Sequence, residues 1–243
     1  MPAYELRVSA RRRSLSVEVH PDLRVIVRAP ARTDPAVIDA WVESRSAWIE
    51  RQFERFRRLG RERPAPPAYA SGETHLFLGR PLRLDVVAGS RPLVMLVGDA
   101  LRVAVRDGVG GEPVRLALDR WYRERAREVF GQLLVAQFGW FAGRGHALPV
   151  IGIRAMTSRW GSLSGPRRKA GWFVVQERAP RRMTLNLALV RAPRECIEYV
   201  VVHELCHLEQ RGHGRGFYRL MDERLPDWRE RRRRLEAGGL LLR

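Results

Sequence analysis

Thiols are nearly missing from this chain. Its 243 residues hold two cysteines, Cys196 and Cys206, and if one helix carries both, their separation sets them roughly 15 Å apart along its axis, too far to bridge. That excludes a disulfide scaffold and fits a reducing compartment. Lysine is scarcer still: Lys169 stands alone, so arginine supplies nearly all of the 45 basic residues behind a net charge of +18. Clustered cations gain affinity for nucleic acid by releasing counterions from phosphates. These arginines are spread along the whole chain instead, which favours solvated faces over a dedicated nucleic-acid surface. Long apolar runs are missing too. No stretch of about 18 apolar residues could span a membrane, and the N-terminal MPAYELRVSARRR has no apolar segment before a small-residue cleavage site. The expectation is a cytoplasmic protein with no membrane partner. Internal repeats and low-complexity tracts are lacking, while 45% hydrophobic and 30% charged residues describe a globular chain long enough to bury a sizeable core.

What is there reads as α+β. The runs YELRVSA, SLSVEVH and LRVIVRA, broken by RRR and Pro21-Asp22, predict three short strands in a meander. Thr33 and Asp34 offer an N-cap with Pro35 in the first turn, and apolar residues from Val37 to Phe56 recur at helical spacing to about Leu59. The proline-rich RERPAPPAYASG, 61–72, predicts a loop or linker. HLFLG, PLRLDVV, PLVMLV and LRVAV predict a second strand group, and a long helix follows over about 113–141. VIGIRAM, WFVVQ and MTLNLALV predict strands around a glycine-rich turn region, ahead of a last helical part. The reading divides the chain into 1–110, β-rich with one long helix, and 111–243, which carries the candidate chemistry.

That chemistry lies in VVHELCHLEQRGHGRGF, 201–217, where three of the chain's six histidines fall together. Pro193 suits a first helical turn, and Ile197, Val200, Val201, Leu205 and Leu208 continue an apolar pattern until Gly212 offers a stop. On that helix His203 and His207 are one turn apart, so both imidazoles project from one face and can share an ion. Glu204 sits at the rim of the face, within reach of a water on the ion. Past the glycine, His213 can approach the same ion; Asp222 or Glu223 on a following helix are alternative third ligands, though the spacing of His213 needs no extra assumption. Three neutral imidazoles leave one tetrahedral position open, the pattern of a catalytic zinc, one per chain. Glu204 would then take a proton from water and hand it to a leaving amine. His20, His75 and His146 fall in hairpin or loop contexts and are incidental to this reading.

The run IEYVVVHELCHLEQRGHGRGFYRLMDERLPDWRERRRRL closely resembles the C-terminal signature of the YgjP-like metallopeptidases, relatives of the SprT-like zinc proteases. The likeness extends to TSRWGSLS (157–164), MTLNLALVRAP (183–193), WYRERARE (121–128) and RVIVRAP with its following helix, so it covers nearly the whole chain. The resemblance implies a zincin-like catalytic domain with His203, His207 and His213 as zinc ligands and Glu204 as catalytic acid/base. It implies a peptide or unfolded-protein substrate laid along an edge strand, a role that would fall to Met183–Val190. Relatives of this kind that act on DNA-bound proteins supply the less favoured alternative, a basic nucleic-acid-associated protease or a non-catalytic zinc module. The chain departs from the family pattern at Leu163, where a cysteine is usual, and in a longer segment over 165–182 expected beside the cleft mouth. Arg159, Trp160 and Asn186 are candidates for substrate contact or structural support: Arg159 either stabilises a developing oxyanion or caps carbonyls or pairs with a buried acid, and Trp160 packs under the edge strand.

Overall fold

A computed structural model gives the architecture and describes residues 2–20, 22–61, 67–157, 159–165 and 180–239. The chain divides into two compact units, Met1–Ala65 and Pro66–Arg243. It is α+β throughout, as the sequence implied.

In the first unit β1 (Glu5–Ser9), β2 (Ser16–Val19) and β3 (Val25–Pro30) form one sheet in the order β1-β3-β2. β2 is antiparallel to β3, but β1 runs parallel to it, so the expected meander does not form. Apolar content explains the order. Val25, Ile26, Val27 and Ala29 bury β3 at the centre, while the charged ELRVS of β1 tolerates an edge. The single expected helix is two, α1 (Pro35–Glu43) and α2 (Ser46–Arg61). Asp34 caps α1 by accepting the Ala36 N–H at 2.8 Å, ahead of Pro35. At the break, the Ser44 hydroxyl donates to the Trp41 carbonyl at 2.7 Å and that of Ser46 to Glu43 at 2.8 Å, so two serines satisfy carbonyls that a continuous helix would have used. Ile38, Val42 and Ile49 then close on Val25, Val27 and Ala29 as this unit's core.

The second unit opens with a four-stranded sheet in the order β4 (Thr74–Phe77), β5 (Arg80–Ala88), β7 (Ala100–Val105), β6 (Leu93–Val97). The long α3 (Glu112–Ala142) packs against β6 and β7, and also against β8 (Val150–Arg154) of a second sheet. Leu82, Leu84, Leu101 and Val103 therefore share one core with Phe130, Leu134 and the later helices. The second strand group has its apolar face on α3, and both lie in the unit Pro66–Arg243.

The second sheet places β10 (Arg182–Asn186) at its centre, parallel to β8 and antiparallel to β9 (Gly161–Ser164). Two expectations change here. The stretch 157–164, read as a turn region, contains a strand, and 187–190 is not strand: Asn186 accepts the Ala188 N–H at 3.2 Å and starts a 3-10 turn, Leu187–Arg191. The WFVVQ strand lies outside the described residues. The 3-10 turn is held by the β4–β5 hairpin, whose Leu78 and Gly79 amides donate to the Val190 and Arg191 carbonyls at 3.0 and 2.9 Å. Gly79 has φ of 79°, and a Cβ there would lie 2.8 Å from Pro193 Cγ, so both backbone and space require glycine.

Next comes α4 (Arg194–Cys206), which starts at Pro193. Its run Val200-Val201-Val202 is a poor helix former, yet all three are buried, together with Ile197 and Leu205. Burial of each such side chain stabilises by about 1.5–3 kcal/mol, which outweighs propensity differences of ~0.7 kcal/mol or less. The helix ends at Cys206, before the Gly212 stop suggested by the sequence, with His207 as its C-cap. α5 (Arg215–Arg224) and α6 (Trp228–Gly238) pack on α4. Cys196 and Cys206 are both free and buried. No helix among the described residues is long and apolar enough to cross a membrane.

Candidate metal centre

His203 lies in the last turn of α4, His207 caps it, and His213 follows the turn that leads into α5. One nitrogen from each imidazole lies within 4.8 Å of the others. His213 Nε2 faces His203 Nε2 at 3.0 Å. Two ring nitrogens at that distance set lone pair against lone pair unless a proton or a cation lies between them. His207 Nδ1 is 2.8 Å from the Gln210 carbonyl, which can only accept, so Nδ1 carries the proton and Nε2 is left with the lone pair that could ligate a cation. Imidazoles around a tetrahedral zinc, at about 2.0–2.1 Å each, sit roughly 3.3 Å apart. The residues present fit the group.

Phe217, at the start of α5 and 1% exposed, lies under all three rings with centroids 4.9, 4.8 and 4.7 Å away. It fixes their common floor, and the reading of the sequence missed it; its place four residues after His213, on the buried side of α5, was the available signal. Burial, then the neighbouring His207 and His213, pushes His203 down to about 3, and burial also lowers His213. Both are thus neutral donors at ordinary pH. Asp222, one of the alternative third ligands, is engaged elsewhere, accepting from Trp228 Nε1 at 2.8 Å and pairing with Arg229. Glu223 is not among the grouped donors. His146 pairs with Glu209 at 2.6 Å, and His75 is buried in β4 away from the cluster.

Glu204 is 5% exposed and faces β9. Burial pushes its carboxyl up to about 7, against the opposing pull of the Arg159 charge and a hydrogen bond from the Leu163 N–H. Arg159 thus faces Glu204 electrostatically, while its carbonyl serves structure. Asn186 is 1% exposed; its Nδ2 donates to the Met156 and Arg159 carbonyls at 2.8 and 3.1 Å, and its backbone N–H donates to Trp160 at 2.8 Å. Asn186 is a clamp on the lead-in to β9, and Trp160 packs on the core.

The edge-strand role expected of Met183–Val190 is ruled out for this segment, because β10 has partners on both sides. Among the described residues β9 has β10 on one side only. The 160/186 hydrogen bond sets the alternation of the ladder, so Gly161 and Leu163 turn their main-chain groups away from β10.

Against known families, residues 13–238 match the YgjP-like, metallopeptidase domain. The chain belongs to the YgjP-like family. Membership makes it a member of a metallopeptidase family, whose activity class is metal-assisted hydrolysis, and accounts for a metal-binding constellation in a YgjP-like chain. Neither the curated proteins nor the solved structures yield a match.

Proposed function

We propose that this YgjP-like protein is a zinc-dependent peptidase of zincin type, with one zinc per chain held by His203, His207 and His213 and with Glu204 as the acid/base. The observation that carries the reading is the convergence of three imidazole nitrogens within 4.8 Å beside a buried glutamate on the adjacent residue. An all-imidazole donor set suits zinc and leaves a position for chemistry. When bound, zinc supplies Lewis acidity toward water and the substrate carbonyl.

The chain's own residues do the rest. Glu204 Oε accepts a proton from the attacking water and returns it to the nitrogen of the departing amine. The Leu163 N–H donates to that carboxylate, and Gly161 leaves it room against β9. An extended peptide pairing with β9 on the side that has no partner among the described residues, through main-chain groups other than the Leu163 N–H, would be held by its backbone, which gives affinity with little sequence preference. Unfolded segments fit this mode, since a folded substrate has no free backbone to offer.

The test is metal content by elemental mass spectrometry with digestion of an unfolded protein followed by mass spectrometry. The reading expects about one zinc per chain, lost in His203→Ala, and cleavage abolished by a chelator and restored by zinc. Zinc bound at full stoichiometry with no cleavage of any unfolded substrate would contradict it.

A further inference from the structure

Gly161 opens β9 and pairs with Leu185, a position where glycine costs backbone entropy and offers nothing to pack. Its φ is not left-handed, so the backbone conformation suits any residue. The demand for glycine comes from space. A Cβ at this position would lie 2.6 Å from Glu204 Oε1, 2.9 Å from Cγ and 3.0 Å from Cδ. Gly161 pairs with Leu185 and Leu163 with Met183, both fully buried, so positions 161 and 163 belong to the core-facing row of the sheet. Along that row, the volume a side chain would fill at 161 is filled by the Glu204 carboxylate, which also accepts the Leu163 N–H.

We infer that Gly161 is a positioning residue: its missing side chain is the socket that lets Glu204 stand against β9, next in the chain to the candidate ligand His203. This rests on the peptidase reading for its functional consequence, though the socket itself is a matter of packing. Relief by movement is restricted on both sides. The strand is pinned through Asn186 to Trp160, and α4 is buried along Val200–Val202. An added methyl therefore acts on the carboxylate, and displacement of a reacting group by about 1 Å costs on the order of 10²-fold in rate.

The first arm of the test needs no activity. In metal-free protein, Gly161→Ala should lower the urea midpoint when Glu204 is present and cause no loss in the Glu204→Ala background, where the obstructing atoms are gone. An equal loss in both backgrounds would overturn the inference. The second arm is kinetic. Zinc-loaded Gly161→Ala should keep its zinc and its KM while kcat falls about 10²-fold. Combining it with Glu204→Asp, whose shorter side chain withdraws from the methyl, should give more activity than the product of the two single losses. Wild-type kcat in Gly161→Ala would overturn the inference. Absence of hydrolysis by the wild-type protein would instead sink the peptidase reading, and the stability cycle would still decide the socket.

Discussion

Replacing Asn186 by alanine removes a clamp whose strength follows from its contacts. The side chain is 1% exposed and donates to Met156 and Arg159 while accepting from Ala188 at 3.2 Å and, weakly, from Met156 at 3.4 Å. Each lost bond counts about 0.5–1.5 kcal/mol, and the two carbonyls and two amides lose a partner that is itself buried. Loss of the cap on the 3-10 turn is one of these terms. The total is about 3 kcal/mol, which for a unit of this size shifts the melting midpoint by roughly 6–12 °C. Urea unfolding of metal-free protein, followed by tryptophan fluorescence, reads it out. Asn186→Asp is the informative companion: it keeps the acceptor but aims a carboxylate at two carbonyls. Its folded pKa is therefore raised above the unfolded value near 3.9, so the variant recovers stability as pH falls toward that value and loses it as pH rises. A loss below about 0.5 kcal/mol for Asn186→Ala, well under a single buried hydrogen bond, would refute the clamp.

Gly79→Ala combines a φ of 79° with a Cβ set 2.8 Å from Pro193, so destabilisation above about 1 kcal/mol is expected in the same urea assay. Tyr122 donates to the Leu76 carbonyl at 2.8 Å and burial pushes its hydroxyl up to about 12. Because the folded pKa is raised, the stabilisation is complete below the unfolded value near 10 and is lost as pH rises through 12, a change of about 2–3 kcal/mol. Tyr122→Phe should remove that part of the alkaline dependence in pH-resolved unfolding curves. Zinc should raise the unfolding midpoint with rising free concentration, a chelator should reverse it, and His213→Ala should require more zinc for the same shift.

The parts written locally were legible in the sequence. The four-residue spacing of His203 and His207 is a helical period, and the apolar repeat of α3 sets one face over its whole length. The parts that depend on distant partners were not. Nothing in MTLNLALV says that β8 pairs on one side of β10 and β9 on the other, or that Asn186 ends the strand by bonding a loop 27–30 residues earlier. Likewise YELRVSA pairs parallel with β3 only because β3 is apolar enough to need a neighbour on both edges. Gly161 looked like turn chemistry in RWGS because its reason, a carboxylate more than forty residues later in the chain, is invisible without the fold.

The most direct test of the central claim is the rate at which Glu204→Gln protein, folded and carrying one zinc per chain, cleaves an unfolded substrate beside wild type. The amide keeps the size of the side chain and removes its ability to take a proton. Cleavage should fall by at least about 10²-fold, the contribution of a positioned acid/base, with zinc content unchanged. Cleavage at the wild-type rate would contradict the account.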